Sequence, residues 1–159
     1  MTVFIVIFIT LSLMGSVLWI MPSKRDRAKM SLRMLAREQQ LTVQLTQVSL
    51  PDKWDKTLTK TSVCGYHLYR KKEQKNILQT VRLVPYEVWK YTEFCSNWWC
   101  SALEISLSEE SRAFLSSKNA QFTAIEITPH GVSLYWLEQG DNQDVPKIKT
   151  LLTELSLIY

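Results

Sequence analysis

The side chains best suited to chemistry are three cysteines and two histidines, which raise the question of a metal site. Cys64 and His67 are separated by two residues and Cys95 and Cys100 by four, so together they could supply the four ligands of a structural zinc ion. However, Cys64 and His67 fall in a predicted strand, where positions three apart face opposite sides. The segment between the other two cysteines, Ser96–Trp99, contains no glycine to form a zinc knuckle. We therefore expect no metal and no cofactor.

Cys95 and Cys100 could instead form a disulfide or take part in thiol exchange. The chain would then be a periplasm-facing thiol/disulfide factor, because disulfides persist in oxidising compartments. Redox-active pairs are more typically spaced Cys-x-x-Cys, and the distribution of charge described below favours the reducing cytoplasm. Thiol chemistry is therefore an alternative function, and it requires the opposite orientation of the chain.

Hydrolytic catalysis requires a positioned base, and neither histidine is placed for that role. His67 lies in the middle of a predicted strand, and His130 lies in a predicted tight turn. The sequence contains no Gly-x-Ser-x-Gly elbow, no phosphate-binding glycine loop and no His-Glu-x-x-His helix. The sequence thus predicts a protein that is not an enzyme.

Aromatic residues are concentrated in the middle of the chain, which has six tryptophans in all. As core residues they would need no further explanation. As exposed residues they would suit a partner-binding patch, because tryptophan is enriched among interface anchors, or a membrane interface. The candidate patch consists of Trp89, Phe94, Trp98 and Trp99.

The chain begins with an uncharged stretch, which predicts that the rest of the protein is held at a membrane. Residues 1–21 carry no charged side chain, and as a helix rising ~1.5 Å per residue they would be about 30 Å long, the thickness of the hydrocarbon core of a bilayer. Pro22 would end that helix. We therefore expect a transmembrane anchor over residues 1–22. Within it, Gly15 and Ser16 are small enough to permit close contact with another membrane helix.

A basic segment follows the anchor and predicts its orientation. Residues 23–40 should form a juxtamembrane helix that starts with Ser23 as its N-cap. Its excess of positive charge predicts the orientation of a single-pass protein, with the N-terminus outside and the C-terminal domain in the cytoplasm. The stripe of basic residues could contact anionic lipid headgroups or a partner, and nucleic acid is a further alternative. These residues are Arg25, Lys29, Arg33 and Arg37.

Residues 41–159 are predicted to form one cytoplasmic α+β domain, a small and mainly antiparallel sheet packed with a short helix and a C-terminal helix. Alternating residues predict a strand from Leu41, with a bulge at Gln47. Turn-forming residues separate further strands, and two helices begin at Ser108 and Asp144. The predicted hairpins pair residues 62–70 with 77–84 and residues 122–127 with 132–138.

The apolar segment, Met21-Pro22, the basic run Ser23–Lys29 and the strand after a short helix together resemble the YajC-type accessory subunit of the bacterial preprotein translocase. The resemblance implies a single span and a small β-rich cytoplasmic domain that serves a membrane complex. That family has glycine in the strand–turn segment after its helix, whereas Leu41–Leu50 has none. The hairpin Ile127–Trp136 is similar to uncharacterised single-span proteins of γ-proteobacteria. This likeness implies a location in a bacterial inner membrane.

These patterns together predict a membrane-anchored accessory or scaffold subunit that acts by protein–protein binding. Its expected partner is a membrane protein complex. The alternatives are the thiol/disulfide factor and a membrane-tethered nucleic-acid-binding module.

Overall fold

The structure, a computed structural model, describes residues 1–20, 23–70, 80–102 and 105–158, without the side chains of residues 16–20. The chain divides into two compact units, Met1–Met30 and Ser31–Tyr159. The first unit contains helix α1 (Thr2–Ile20) and the beginning of α2 (Lys24–Glu38). The α2 helix starts as expected, since the backbone N–H of Asp26 donates to Ser23 Oγ at 3.2 Å.

None of the helices that the structure describes combines the length and the apolar character needed to cross a bilayer. The predicted transmembrane anchor over residues 1–22 is therefore wrong. The single-pass, inner-membrane location and the orientation derived from the anchor are wrong with it.

The second unit is built on an antiparallel sheet whose described strands follow the order β1-β2-β7-β6-β3-β5-β4. Two further helices, α3 (Glu109–Ser117) and α4 (Asp144–Ile158), complete the α+β architecture. The strands are β1 (Thr42–Pro51), β2 (Leu58–Tyr69), β3 (Val81–Val84), β4 (Thr92–Cys95), β5 (Trp98–Cys100), β6 (Phe122–Thr128) and β7 (Gly131–Trp136).

Strand pairing confirms one predicted hairpin and corrects the other. The β6–β7 hairpin closes at Thr128 opposite Gly131, where the turn residues predicted it. The expected hairpin of residues 62–70 with 77–84 is wrong, because β3 pairs with β5 and β6, while β2 pairs with β1 and β7. Residues 71–79, which would have formed most of its turn, lie outside the described residues.

The main hydrophobic core lies between one face of the sheet and the helices α2, α3 and α4. The six buried residues of α4 include Ile148, Leu152 and Leu155, which recur at helical spacing and share one face, as its periodicity predicted. Trp136 from β7 and Trp98 from β5 are fully buried in the same cluster. At about 2 kcal/mol for each large apolar side chain, this burial is the dominant stabilising contribution.

A smaller cluster covers part of the opposite face of the sheet. Val63, Val84 and Tyr135 are buried there, and Trp99 packs against them. Val88, from the connection after β3, is also buried in this cluster. Alternating residues of the strands therefore enter two separate cores, which explains why several strands are apolar on both sides.

An ion pair fixes α2 to the edge of the main core. Arg33 Nε donates to Glu138 Oε1 at 2.8 Å, and Tyr66 Oη donates to the same oxygen at 3.2 Å. The side chain of Glu138 is 2% exposed and that of Arg33 is 29% exposed. Burial, followed by the nearby Glu138 carboxylate, raises the pKa of Tyr66 well above its usual range, so Tyr66 remains a neutral donor.

This unequal burial predicts an unequal response to mutation. Arg33→Met should lower the free energy of unfolding by about 3 kcal/mol, because it leaves a buried carboxylate without its cation. The matched substitution Arg37→Met, at an exposed position of the same helix, should change it by less than ~0.5 kcal/mol. Urea denaturation of the full chain measures both values. Equal effects of the two substitutions would show that the ion pair does not hold α2 in place.

Candidate protein-binding edge

The β1 strand forms one edge of the sheet, and β2 is its sole neighbour among the described strands. Its ten residues pair with β2 from Thr42 opposite His67 to Pro51 opposite Leu58. On the other side, the backbone groups that point away from β2 face no strand among the residues that the structure describes. An edge of this length is a template for another strand.

The charge of β1 differs from that of a protected edge. The β1 sequence, Thr42–Pro51, contains no charged residue, although the chain has 19 lysines and arginines and a net charge of +4. The opposite edge, β4, is four residues long, carries Glu93 and has a register shift against β5. Short length, charge and bulges are the usual means of preventing edge-to-edge pairing. The chain thus has these protections at β4 and lacks them at β1.

The N-terminal part of β1 also exposes apolar surface. Leu45 is 74% exposed, and Val43 is half-buried at the border of the main core. We call residues Thr42–Gln47 the open edge. Thr42, Gln44 and Gln47 are exposed, so the open edge presents neutral side chains on both faces of the sheet.

The sequence correctly predicted alternation in this strand but placed a bulge at Gln47, and that bulge is wrong. The register with β2 runs from Thr42 to Pro51 without a shift. Val43 packs against the main core, whereas Val48 is buried in the smaller cluster on the opposite face. The apolar residues shift from odd-numbered to even-numbered positions because they pack against the main core at the start of β1 and against the smaller cluster, on the other face of the sheet, further along.

Both ends of β1 are held in place. At the start, Leu41 is buried and its N–H donates to Ala36 O at 2.9 Å, which ties β1 to the end of α2. At the other end, Tyr86 Oη donates to Pro51 O at 2.8 Å. The carboxylate of Asp52 orders the following turn by accepting from the N–H of Lys56 at 2.9 Å. The open edge is therefore presented on a fixed backbone.

His67 supports the face of β2 that lies beside the open edge. Its Nδ1 lies 2.7 Å from Ser133 Oγ, and its Nε2 is buried and has no hydrogen-bond partner among the described residues. Burial lowers the pKa of His67, although nearby Glu126 opposes this effect. An imidazole hydrogen-bonded to a serine hydroxyl can in principle act as a general base. However, only 8% of His67 is exposed, so a substrate cannot reach its imidazole. Its position is that of a structural group.

The three cysteines lie in the main core or pack against it. Cys64 packs in the main core, on the face of β2 opposite to that of His67. Cys100 accepts from the N–H of Ala102 at 3.3 Å, and Cys95 Sγ lies 3.4 Å from Ser116 Oγ. All three thiols are free. Burial raises the pKa of Cys100, which disfavours the thiolate needed for exchange chemistry.

The four residues of the predicted basic stripe belong to two units of the chain. Arg25 and Lys29 belong to the first unit, where Arg25 is exposed and Lys29 is half-buried. In the second unit, Arg33 forms the ion pair with Glu138, and Arg37 is exposed. Arg33 therefore has a structural partner within the protein.

The predicted aromatic patch is divided among several environments. Trp98 is fully buried, and its Nε1 donates to Leu115 O at 3.1 Å. Trp99 packs against the smaller cluster, and Phe94 packs against the main core. Trp89 is 55% exposed, with Lys90 Nζ 4.5 Å from its ring centre. Adjacent strand residues face opposite sides, which separates Trp98 from Trp99.

For the predicted helix-contact pair, Gly15 has open space where a side chain would stand, since a Cβ built there meets no atom within 4 Å. The side chain of Ser16 lies outside the described residues.

The open edge was not among the predicted site residues. The sequence did show a long alternating strand without charge. It could not show that this strand lies at the edge of the sheet, because the strand order depends on pairing between distant segments.

No protein-family model, curated protein or solved structure matches the chain. The resemblance to YajC-type subunits stays a prediction.

The buried imidazole predicts how stability depends on pH. Because the folded-state pKa of His67 is lowered, its stabilising contribution is complete above the unfolded value of ~6.5 and is lost as pH falls through the folded pKa. His67→Gln should therefore flatten the decrease in unfolding free energy between about pH 7.5 and 5.5. Urea denaturation at several pH values measures this change.

The variant His130→Gln, in the exposed turn of the β6–β7 hairpin, removes the other histidine of the chain and measures how much of the decrease that residue contributes. An unchanged slope in His67→Gln would contradict the assignment of this pH dependence to the buried imidazole.

Proposed function

We propose that the chain is an accessory or scaffold protein that acts by binding, and that it binds by adding a strand of a partner protein to the open edge. The observation that carries the proposal is the contrast between the two edges of the sheet. The β4 edge is short and charged, whereas β1 is long and neutral. In strand addition, main-chain hydrogen bonds provide affinity, and alternate side chains provide specificity.

The chemistry of the open edge limits the kind of partner. A strand added beside Thr42–Gln47 meets no charge on β1, so a charged strand gains no ion pair from this seam. A neutral strand with alternating apolar residues would cover Leu45 and Val43 on one face. We therefore propose a partner segment that is extended, uncharged and apolar at alternate positions.

Site-specific photo-crosslinking in intact cells tests this proposal. A photoreactive residue in place of Gln44 should form adducts with the partner. Adding Leu45→Lys should reduce the adduct yield about tenfold, because a charge on an edge opposes strand addition. Leu45 is largely exposed, so the folded chain should tolerate the lysine.

Leu157, which is 80% exposed on α4, supplies the matched controls. Leu157→Lys should leave the adducts formed at Gln44 unchanged. Adducts that persist in Leu45→Lys, or that form equally from a photoreactive residue at position 157, would show that the open edge is not the binding site.

A further inference from the structure

We infer that the strand added to the open edge is β1 of a second copy of this chain, paired antiparallel about a two-fold axis at Gln44. The inference rests on the proposed function and names its partner. A two-fold axis perpendicular to the sheet places the same face of both copies on the same side. The sheet would then continue from one copy into the other across the two β1 strands.

Centring the pairing at Gln44 places residues of the same polarity opposite each other from Thr42 to Thr46. Gln44 lies opposite Gln44, Thr42 opposite Thr46, and Val43 opposite Leu45. Threonine pairs and apolar pairs are the favourable cross-strand combinations. Because of the two-fold symmetry, the pair of Val43 with Leu45 occurs twice. The largely exposed Leu45 of each copy would therefore be covered by an apolar side chain of the other.

Neighbouring registers lack this match. Centring the pairing at Leu45 places Val43 opposite Gln47 and Gln44 opposite Thr46. Centring it at Thr46 places Leu45 opposite Gln47. Each alternative sets an apolar side chain against a polar one, so the register is specified by the sequence of the open edge.

Charge also favours a second copy. Two identical strands with even one lysine each would bring like charges together at the seam, and β1 has none. The remainder of the chain carries its net charge of +4 elsewhere. A second copy supplies the neutral and alternating strand that the open edge can accept. A seam of about five residue pairs is smaller than a standard interface, so we expect a reversible dimer.

Cysteine cross-linking tests both the partner and the register. Under mild oxidation, full-length Gln44→Cys should form a covalent dimer, because directly opposed residues have Cα atoms about 4.5–5.5 Å apart, within the range of a disulfide. Gln47→Cys is the matched control. About the same axis its two thiols are six residues apart along the seam, or about 20 Å, so its yield should be at least tenfold lower.

The unchanged chain controls for the native thiols, of which Cys64 and Cys100 are buried and Cys95 is half-buried. Because α1 also exposes apolar side chains, the position of the cross-link is the deciding result, and the oligomeric state alone is not. Adding Leu45→Lys to Gln44→Cys should lower the yield about tenfold. Adding Leu157→Lys should leave it unchanged.

A lack of covalent dimer from Gln44→Cys, or equal yields from Gln44→Cys and Gln47→Cys, would overturn the inference. Its failure can be distinguished from failure of the proposed function. Photo-adducts at Gln44 with a different protein, lost in Leu45→Lys, would retain binding at the open edge and reject the second copy. The absence of any adduct that depends on Leu45 would reject both.

Discussion

The ion pair between Arg33 and the buried Glu138 is the interaction on which the arrangement of the open edge depends. Glu138 follows β7, adopts a positive φ of 54° and turns its carboxylate toward Arg33 and Tyr66. The pair therefore joins α2 to β2 and β7 at a single point. The chain passes from α2 directly into β1, so the same contact fixes where the edge strand begins. Burial of the main core provides most of the stability, and the ion pair fixes the position of α2.

The fold leaves a long strand without charge at one edge of the sheet. Helices cover one face, and the smaller apolar cluster occupies part of the other. The β4 edge is closed to pairing by its length and charge, and β1 is left as the edge where a further strand can be added. The proposed binding thus depends on backbone groups and strand order and requires no special side-chain chemistry.

Local patterns predicted local structure well. The α4 helix and the β6–β7 hairpin were predicted because helical periodicity and turn residues act over a few positions. The β2–β3 hairpin was wrong because β2 pairs with β7, which lies far along the chain, and alternation cannot select a distant partner. For the same reason, the sequence did not identify the open edge. The length and the neutrality of β1 were readable in the sequence, but its position at the edge follows from contacts between distant strands.

The central claim is that the outward backbone groups of β1 are paired when the protein works. Hydrogen exchange of the amides from Val43 to Gln47 tests it most directly, in the full chain purified under native conditions and then diluted. Before dilution, consecutive amides of the open edge should all be protected. After dilution, every second amide should exchange at least tenfold faster, because strand amides point alternately toward β2 and away from it. Fast exchange of those alternate amides before dilution as well as after it would contradict the account.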